Sequence, residues 1–206
     1  MLPSLFYPLT FMSTSKKFLR SLDIRIRAAC RKWLRIPKDV PVSFFHTISK
    51  MGDLGVPQLH YTIPLLKTAK LNKFADTTSM QIISNNALPK FSRNWERPIT
   101  VAGETVTNKN ELDNITAQML YRSIDGNGLR QASEAKENGA WINNGTLLLS
   151  GRDYIGALSC RGGYLHSKLR ASRGQENASP LCECCGRIED LAHILPKDSP
   201  AKDRQA

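Results

Sequence analysis

Three residues near the C-terminal end could hold a metal ion: Cys182, Cys185 and His193, spaced Cys-x2-Cys-x7-His. Two thiolates separated by two residues make a pincer, because the turn between them aims both sulfurs at one point. A helical imidazole several residues later closes the far side of a tetrahedron, the arrangement zinc prefers. Gly186 suits the tight turn, and Leu191 and Ile194 flank the histidine as a small apolar anchor. A closed structural site needs a fourth ligand. In the Cys-Cys-His-Cys (CCHC) arrangement a cysteine follows the histidine after four intervening residues, and here Asp198 stands in that place. A carboxylate can ligate zinc, although structural sites use it less often than a thiolate. Cys184 is a substitute, but adjacent cysteines rarely both reach one ion. The alternative is a decayed site or ordinary thiols. Cys30 and Cys160 stand alone, and Cys30 reads as core packing.

Catalysis needs more than this, and the search for it fails. The chain has no adjacent pair of aspartates of the kind that holds polymerase metals. Nor does it contain G-x-S-x-G, a Walker A loop, H-E-x-x-H or a dinucleotide glycine fingerprint. His46, beside Phe44 and Phe45, reads as a packed core or boundary residue. His60 and His166 have no evident acid or base partner.

Charge points to a binding role instead. The 206 residues carry a formal charge of +11, which favours a polyanionic partner, nucleic acid ahead of an acidic membrane. The excess is local: residues 1–75 hold 13 Lys+Arg against 3 Asp+Glu, whereas 76–150 hold 7 against 8 and 151–206 hold 9 against 7. No apolar run approaches the ~18 residues of a membrane span. The opening MLPSLFYPLTFM contains Pro3 and Pro8, lacks a leading basic region, and makes a poor signal peptide. An intracellular location is expected.

The elements that would carry these residues are mainly α-helical. Over 16–35, Phe18, Leu22, Ile26, Ala29 and Trp33 step by three or four and predict a buried stripe. Lys16, Arg20, Arg27, Arg31 and Arg35 fall on the opposite side, free to meet phosphates or simply to be solvated. Ser15 is the expected N-cap and Pro37 the stop. Pro41 opens a short apolar helix. Pro64 opens a third helix to about Phe74, with Leu65, Leu66 and Ala69 inward and Lys67, Lys70 and Lys73 outward. A hairpin is expected around VAGETVT. A helix from Asn110 follows, with Leu112, Ile115, Met119 and Leu120 on one side, then the DGNG turn (Asp125 to Gly128), a polar helix over 129–137 ended by Gly139, and a helix from about Gly151 to Leu158. The expected organisation is a frayed or disordered 1–15, a small helical bundle over 16–75, a linker with helices over 76–150, a basic helix and loop over 151–180, and an incomplete CCHC zinc-knuckle-like segment over 181–206.

In order along the chain, IRAACRKWLRIPKDVPVSFFH, LGVPQLHYTIPLLKTAKLNKF, MLYRSIDGNGLRQAS, LLLSGRDYIGAL, KLRASRG and CECCGRIEDLAHIL resemble the ribosomal-DNA-targeting non-LTR retrotransposons that carry a C-terminal restriction-enzyme-like endonuclease. The likeness runs from about Leu19 to His193. It implies that 16–75 is the thumb of a reverse transcriptase, with Arg20, Arg27 and Arg31 as phosphate contacts on primer and template. It implies that 76–180 is a linker, with Arg152, Lys168, Arg170 and Arg173 as further contacts. Cys182, Cys185 and His193 become the first three knuckle ligands, with zinc as cofactor. The implied partners are RNA, an RNA–DNA or DNA duplex and the parent polymerase and endonuclease domains, in the nucleus and away from membranes. The parent activity implied is target-primed reverse transcription by an RNA-directed DNA polymerase with endonuclease. This chain departs from the family at Lys50-Met51-Gly52-Asp53-Leu54-Gly55, at Cys160-Arg161-Gly162-Gly163 and at Asp198. With palm and endonuclease expected outside it, the chain reads as a nucleic-acid-binding fragment without a complete active site. Two rivals stand beside that reading: a helical protein-interaction module whose basic face meets an acidic partner, and a poorly folding pseudogene product.

Overall fold

The computed structural model describes residues 2–51, 54–75, 98–126, 129–130 and 140–194. The expected mainly helical fold is what it shows: α1 (Leu2–Phe11), α2 (Lys16–Leu34), α3 (Ser43–His46), a 3-10 turn at Ser49–Met51, α4 (Leu59–Ala75), then β1 (Ile99–Val101) and β2 (Glu104–Val106). These are followed by α5 (Lys109–Tyr121), α6 (Ala140–Leu148), α7 (Gly151–Arg161), α8 (Lys168–Ala171) and α9 (Leu191–Ile194). The hairpin forms where VAGETVT placed it, pairing Ile99 with Val106 and Val101 with Glu104. The expected helix over 129–137 and its Gly139 stop lie largely outside the described residues, as do Gly52, Asp53 and Asp198.

Helix α2 starts and stops for the reasons its sequence suggests. The Ser15 hydroxyl accepts a bond from the Phe18 N–H at 3.2 Å, satisfying one of the first-turn donors. Arg35 adopts a left-handed φ of 53° beyond the last turn, and Pro37 follows. Its buried face, however, differs from the expected one. Leu22 and Ile26 pack inward as expected, but Leu19, at 0% exposure, and Asp23, at 1%, lead the stripe, with Cys30 and Leu34 beside them. Phe18, Ile24 and Trp33, the last 72% exposed, face outward. At 100° per residue the buried stripe is turned roughly 65° from the one hydrophobicity alone selects.

Asp23 is the cause of that rotation. Its carboxylate accepts from the Leu59 N–H at 2.8 Å and the His60 N–H at 3.0 Å, and from the His60 Nδ1–H at 2.6 Å. It therefore caps the first turn of α4 from 36 residues away, where the helix dipole favours a negative charge. Helix α4 consequently begins at Leu59, five residues before the expected start, and Pro64 lies inside it.

Residues 2–11, expected to fray, form α1, whose Leu9 packs with Leu19 of α2 and with Leu59 and Ile63 of α4. This also corrects the outward placement of Lys67. That side chain is buried and its Nζ donates to the Met12 carbonyl at 2.6 Å, at the C-terminal end of α1 where a cation is favoured. Lys70 lies over the Phe11 ring at 4.2 Å. Ala69 and Met119, expected inward, are exposed.

Two further clusters complete the interior. Leu65, Val101, Val106, Leu112 and Ile115 join α4, the hairpin and α5. Ile36, Val40, Phe44, Phe45, Leu120, Leu129, Leu158 and Tyr164 join the segment after α2 to α3, α5 and α7. Burying such side chains, at roughly 25 cal/mol per Å² of apolar surface, is what holds the short helices together. Gly162 lies in this core, where a Cβ would come within 2.4 Å of Tyr164 and 2.8 Å of Phe44. Only a glycine permits the Phe44–Tyr164 edge-on contact at 5.5 Å.

Candidate metal centre and nucleic-acid interface

The metal-site residues are brought together by a small hairpin and a helical turn. Leu181 and Ile188 form an antiparallel bridge, and the Cys182 N–H donates to the Arg187 carbonyl at 2.7 Å. The turn closes when the Gly186 N–H donates to the Cys182 carbonyl at 2.9 Å, with Gly186 at φ 68°, a conformation that favours glycine. His193 sits on α9, and the Asp190 carboxylate accepts its backbone N–H at 2.8 Å.

Ligand atoms of Cys182, Cys185 and His193 lie within 4.8 Å of one another. Cys185 Sγ and His193 Nε2 are 3.5 Å apart. A tetrahedral zinc with ordinary bond lengths would separate a sulfur and a nitrogen by about 3.6 Å, so this edge already has the right length. The Cys185 thiol is pushed down from its usual range, chiefly because the Arg187 backbone N–H points at the sulfur, which favours the ligating thiolate. The three residues fit a zinc ion. Cys184 is exposed and stands outside that group.

The hairpin is anchored to the rest of the chain through α8. The Leu169 N–H donates to the Glu189 carbonyl at 3.1 Å, and the Lys168 N–H to Glu189 Oε1 at 3.1 Å. Lys168 Nζ pairs with Glu183 at 2.5 Å, which holds the amine above its ordinary range. Arg170 continues inward, to Asp125 at 3.1 Å, Asp39 at 2.5 Å and the Gly163 carbonyl at 3.2 Å. Arg173 joins it on Asp125 at 2.8 Å. With its side chain only 9% exposed, Arg170 serves as a tie between segments, the role a fork of donors fills well.

The expected phosphate contacts on α2 divide in two. Arg20 is exposed, and so is Arg35 beyond the helix end. Arg27 and Arg31 turn inward instead. Arg27 Nη1 donates to His46 Nε2 at 3.2 Å. Arg31 Nη2 donates to the Val40 carbonyl at 3.1 Å, with its guanidinium 4.6 Å from the Phe45 ring centre. Lys16 is half-buried, and Arg152 on α7 is exposed.

The reading from sequence missed Lys17, Arg25 and Lys32. All three are exposed and fall within an arc of about 80° on the solvent side of α2. The signal was present in the sequence, but it becomes visible only once Asp23 is placed inward. No helix among the described residues is long and apolar enough to cross a membrane.

No family model matches the chain. Individual relatives do. The chain is 30% identical over 200 residues, 96% of its length, to the retrovirus-related Pol polyprotein from type-2 retrotransposable element R2DM of Drosophila melanogaster. It is 29% identical over 196 residues, 91% of its length, to the Pol polyprotein from type-1 retrotransposable element R2 of Bradysia coprophila. The same identity holds over 199 residues, 95% of its length, with the corresponding protein of Nasonia vitripennis. The chain spans about a fifth of the length of these relatives, 19%, 22% and 18% respectively. The resemblance to a retrotransposon polyprotein drawn from the sequence therefore holds across nearly the whole chain.

Proposed function

We propose that this chain, homologous to one segment of the R2 retrotransposon Pol polyproteins, is a nucleic-acid-binding piece of such a polyprotein that contributes grip and positioning while other segments carry the chemistry. The observation that carries the reading is the exposed basic arc of α2. Lys17, Arg25 and Lys32, bordered by Arg20 and Arg35, are exposed within the part of the chain that holds 13 Lys+Arg against 3 Asp+Glu. A helix of 19 residues is about 28 Å long, enough to lie along several phosphates of a backbone. Such contacts position a duplex without reading its sequence. The polyprotein as a whole would carry out target-primed reverse transcription in the nucleus, on RNA and an RNA–DNA or DNA duplex.

Cys182, Cys185 and His193 would hold a zinc ion, with Asp198 as the fourth ligand. The ion would fold the hairpin and present Arg187 and the neighbouring surface. The outward Phe18 and Trp33 support a second contact of α2, with the parent polymerase or endonuclease domains.

Salt-dependent binding tests the proposal. Lys17, Arg20, Arg25 and Lys32 changed together to Gln should weaken binding to an RNA–DNA duplex. Removing each cation that neutralises a phosphate should lower the log–log salt slope by about 0.7–0.9. Fluorescence anisotropy at several salt concentrations reads both quantities. An unchanged slope with unchanged affinity would overturn the assignment of α2 as the nucleic-acid face.

A further inference from the structure

A cleft of about 640 Å³ lies where three segments meet: Pro37 to Pro41 after α2, Ser123 to Asp125 after α5, and Tyr164 to Arg173 across α8. That size is within the range of small-ligand sites. Its chemistry is divided in a particular way. The walls are apolar, formed by the rings of Pro37 and Pro41 and by Ile124, which is 81% exposed. A large aliphatic side chain held this openly on a turn gains little from the core, and it is one of the residues that line the cleft. The two carboxylates of the cleft are already neutralised, Asp39 by Arg170 and Asp125 by Arg170 and Arg173. The exposed cations available to it lie next in sequence to its lining, Lys38 between Pro37 and Asp39 and Arg122 immediately before Ser123, with His166 exposed in the lining itself, whereas Arg173 is engaged by Asp125.

Apolar walls with exposed cations beside them suit a planar, polarisable group flanked by anions. A nucleobase turned out of its stack, with a phosphate on either side, has that form. A duplex does not, because its bases are stacked inside and only its phosphates reach the rim. We propose that this cleft takes one unstacked base of a single-stranded nucleic acid, the base against Pro37, Pro41 and Ile124 and the flanking phosphates reaching the exposed Lys38 and Arg122 beside it. The inference rests on the nucleic-acid reading above and deepens it: α2 holds a backbone of any kind, whereas the cleft distinguishes strands with free bases.

The test compares three probes on the full chain by fluorescence anisotropy: an oligothymidylate of about twelve nucleotides, an abasic strand of equal length and charge, and a blunt duplex. Stacking of one base is worth roughly 1–3 kcal/mol, so the thymidylate should bind about 5- to 150-fold tighter than the abasic strand. Ile124→Ser, which removes the wall without adding charge at an exposed position, should abolish that preference and leave duplex affinity and the thermal midpoint unchanged. His166→Ala should reduce the preference in part. If the thymidylate and abasic strands bind the unsubstituted chain equally, or if Ile124→Ser preserves the preference, the cleft is not a base site. Duplex binding that survives in either case leaves the α2 assignment standing. A chain that binds none of the three probes overturns both.

Discussion

At the scale of a single residue, His46 shows how partners fix a protonation state. The Val56 carbonyl, 2.8 Å from Nδ1, can only accept, so Nδ1 carries the proton. Arg27, 3.2 Å from Nε2, can only donate, so Nε2 is bare. The neutral tautomer is thus specified from both sides, and a second proton would face the guanidinium. Burial first holds the imidazole below its ordinary range of about 6.5; the Val56 carbonyl, the next largest effect, opposes it, Arg27 and His60 add to the lowering, and Asp23 opposes it. The folded chain therefore binds this proton less readily than the unfolded chain. The resulting stability is fully present above pH 6.5 and is lost as pH falls below that value toward the folded pKa. Urea midpoints measured from about pH 7.5 down to about 5.5 should decrease, and His46→Asn, which keeps a donor for Val56 and cannot titrate, should flatten the decline. Equal slopes for the two proteins would exclude His46 as the cause. The sequence placed His46 in the core or at its boundary from its two phenylalanine neighbours, but nothing local to it pointed to an arginine 19 residues earlier.

At the scale of elements, the decisive bond runs from α2 to α4. Both helices were visible in the sequence, α2 with its cap and stop, α4 with its start misplaced at Pro64. What periodicity could not supply was the orientation of α2, because an inward aspartate scores as a surface residue on any hydrophobicity scale. Asp23 turns inward because the N–H groups of Leu59 and His60 lack helical partners and are buried, a demand that exists only once α4 is alongside. Removing the carboxylate leaves those donors unsatisfied in a dry site. Asp23→Ala should therefore destabilise the chain by roughly 2–4 kcal/mol, combining a lost cap with buried orphan donors. Asp23→Asn, which keeps one acceptor, should cost less. Thermal or urea unfolding measures both, and an Asp23→Ala loss within ~0.5 kcal/mol would mean that water replaces the cap. The same rotation explains why Arg27 and Arg31, phosphate contacts by sequence, became ties to α3 and the segment before it, while Lys17, Arg25 and Lys32 took the solvent side.

At the scale of the whole molecule, the C-terminal hairpin is joined to the bundle by a chain of polar contacts and little apolar surface. Glu189 bonds α8, Lys168 pairs with Glu183, and Arg170 reaches Asp125 and Asp39. Of these, the Lys168–Glu183 pair is exposed at the carboxylate and is screened by solvent, so it contributes little. Leu181 and Ile188, the bridging residues of the hairpin, are themselves exposed, so the bridge itself buries no apolar core. A metal ion would supply what packing does not, since ligand binding in such small segments is folding free energy. The spacing of Cys182, Cys185 and His193 made this site readable in the sequence, whereas its anchorage on Glu189 and α8 depends on bonds between separate segments. Purified protein should hold close to one zinc per chain, and a chelator or Cys182→Ser should remove it. Amide exchange should then rise over about residues 180–194 and in α8, where the Lys168 and Leu169 N–H groups lose Glu189, while the Phe44, Leu120 and Leu158 core keeps its protection. Protection lost everywhere would mean that the ion holds the entire fold, and a metal-free preparation with an already protected hairpin would show that the hydrogen bonds suffice without it.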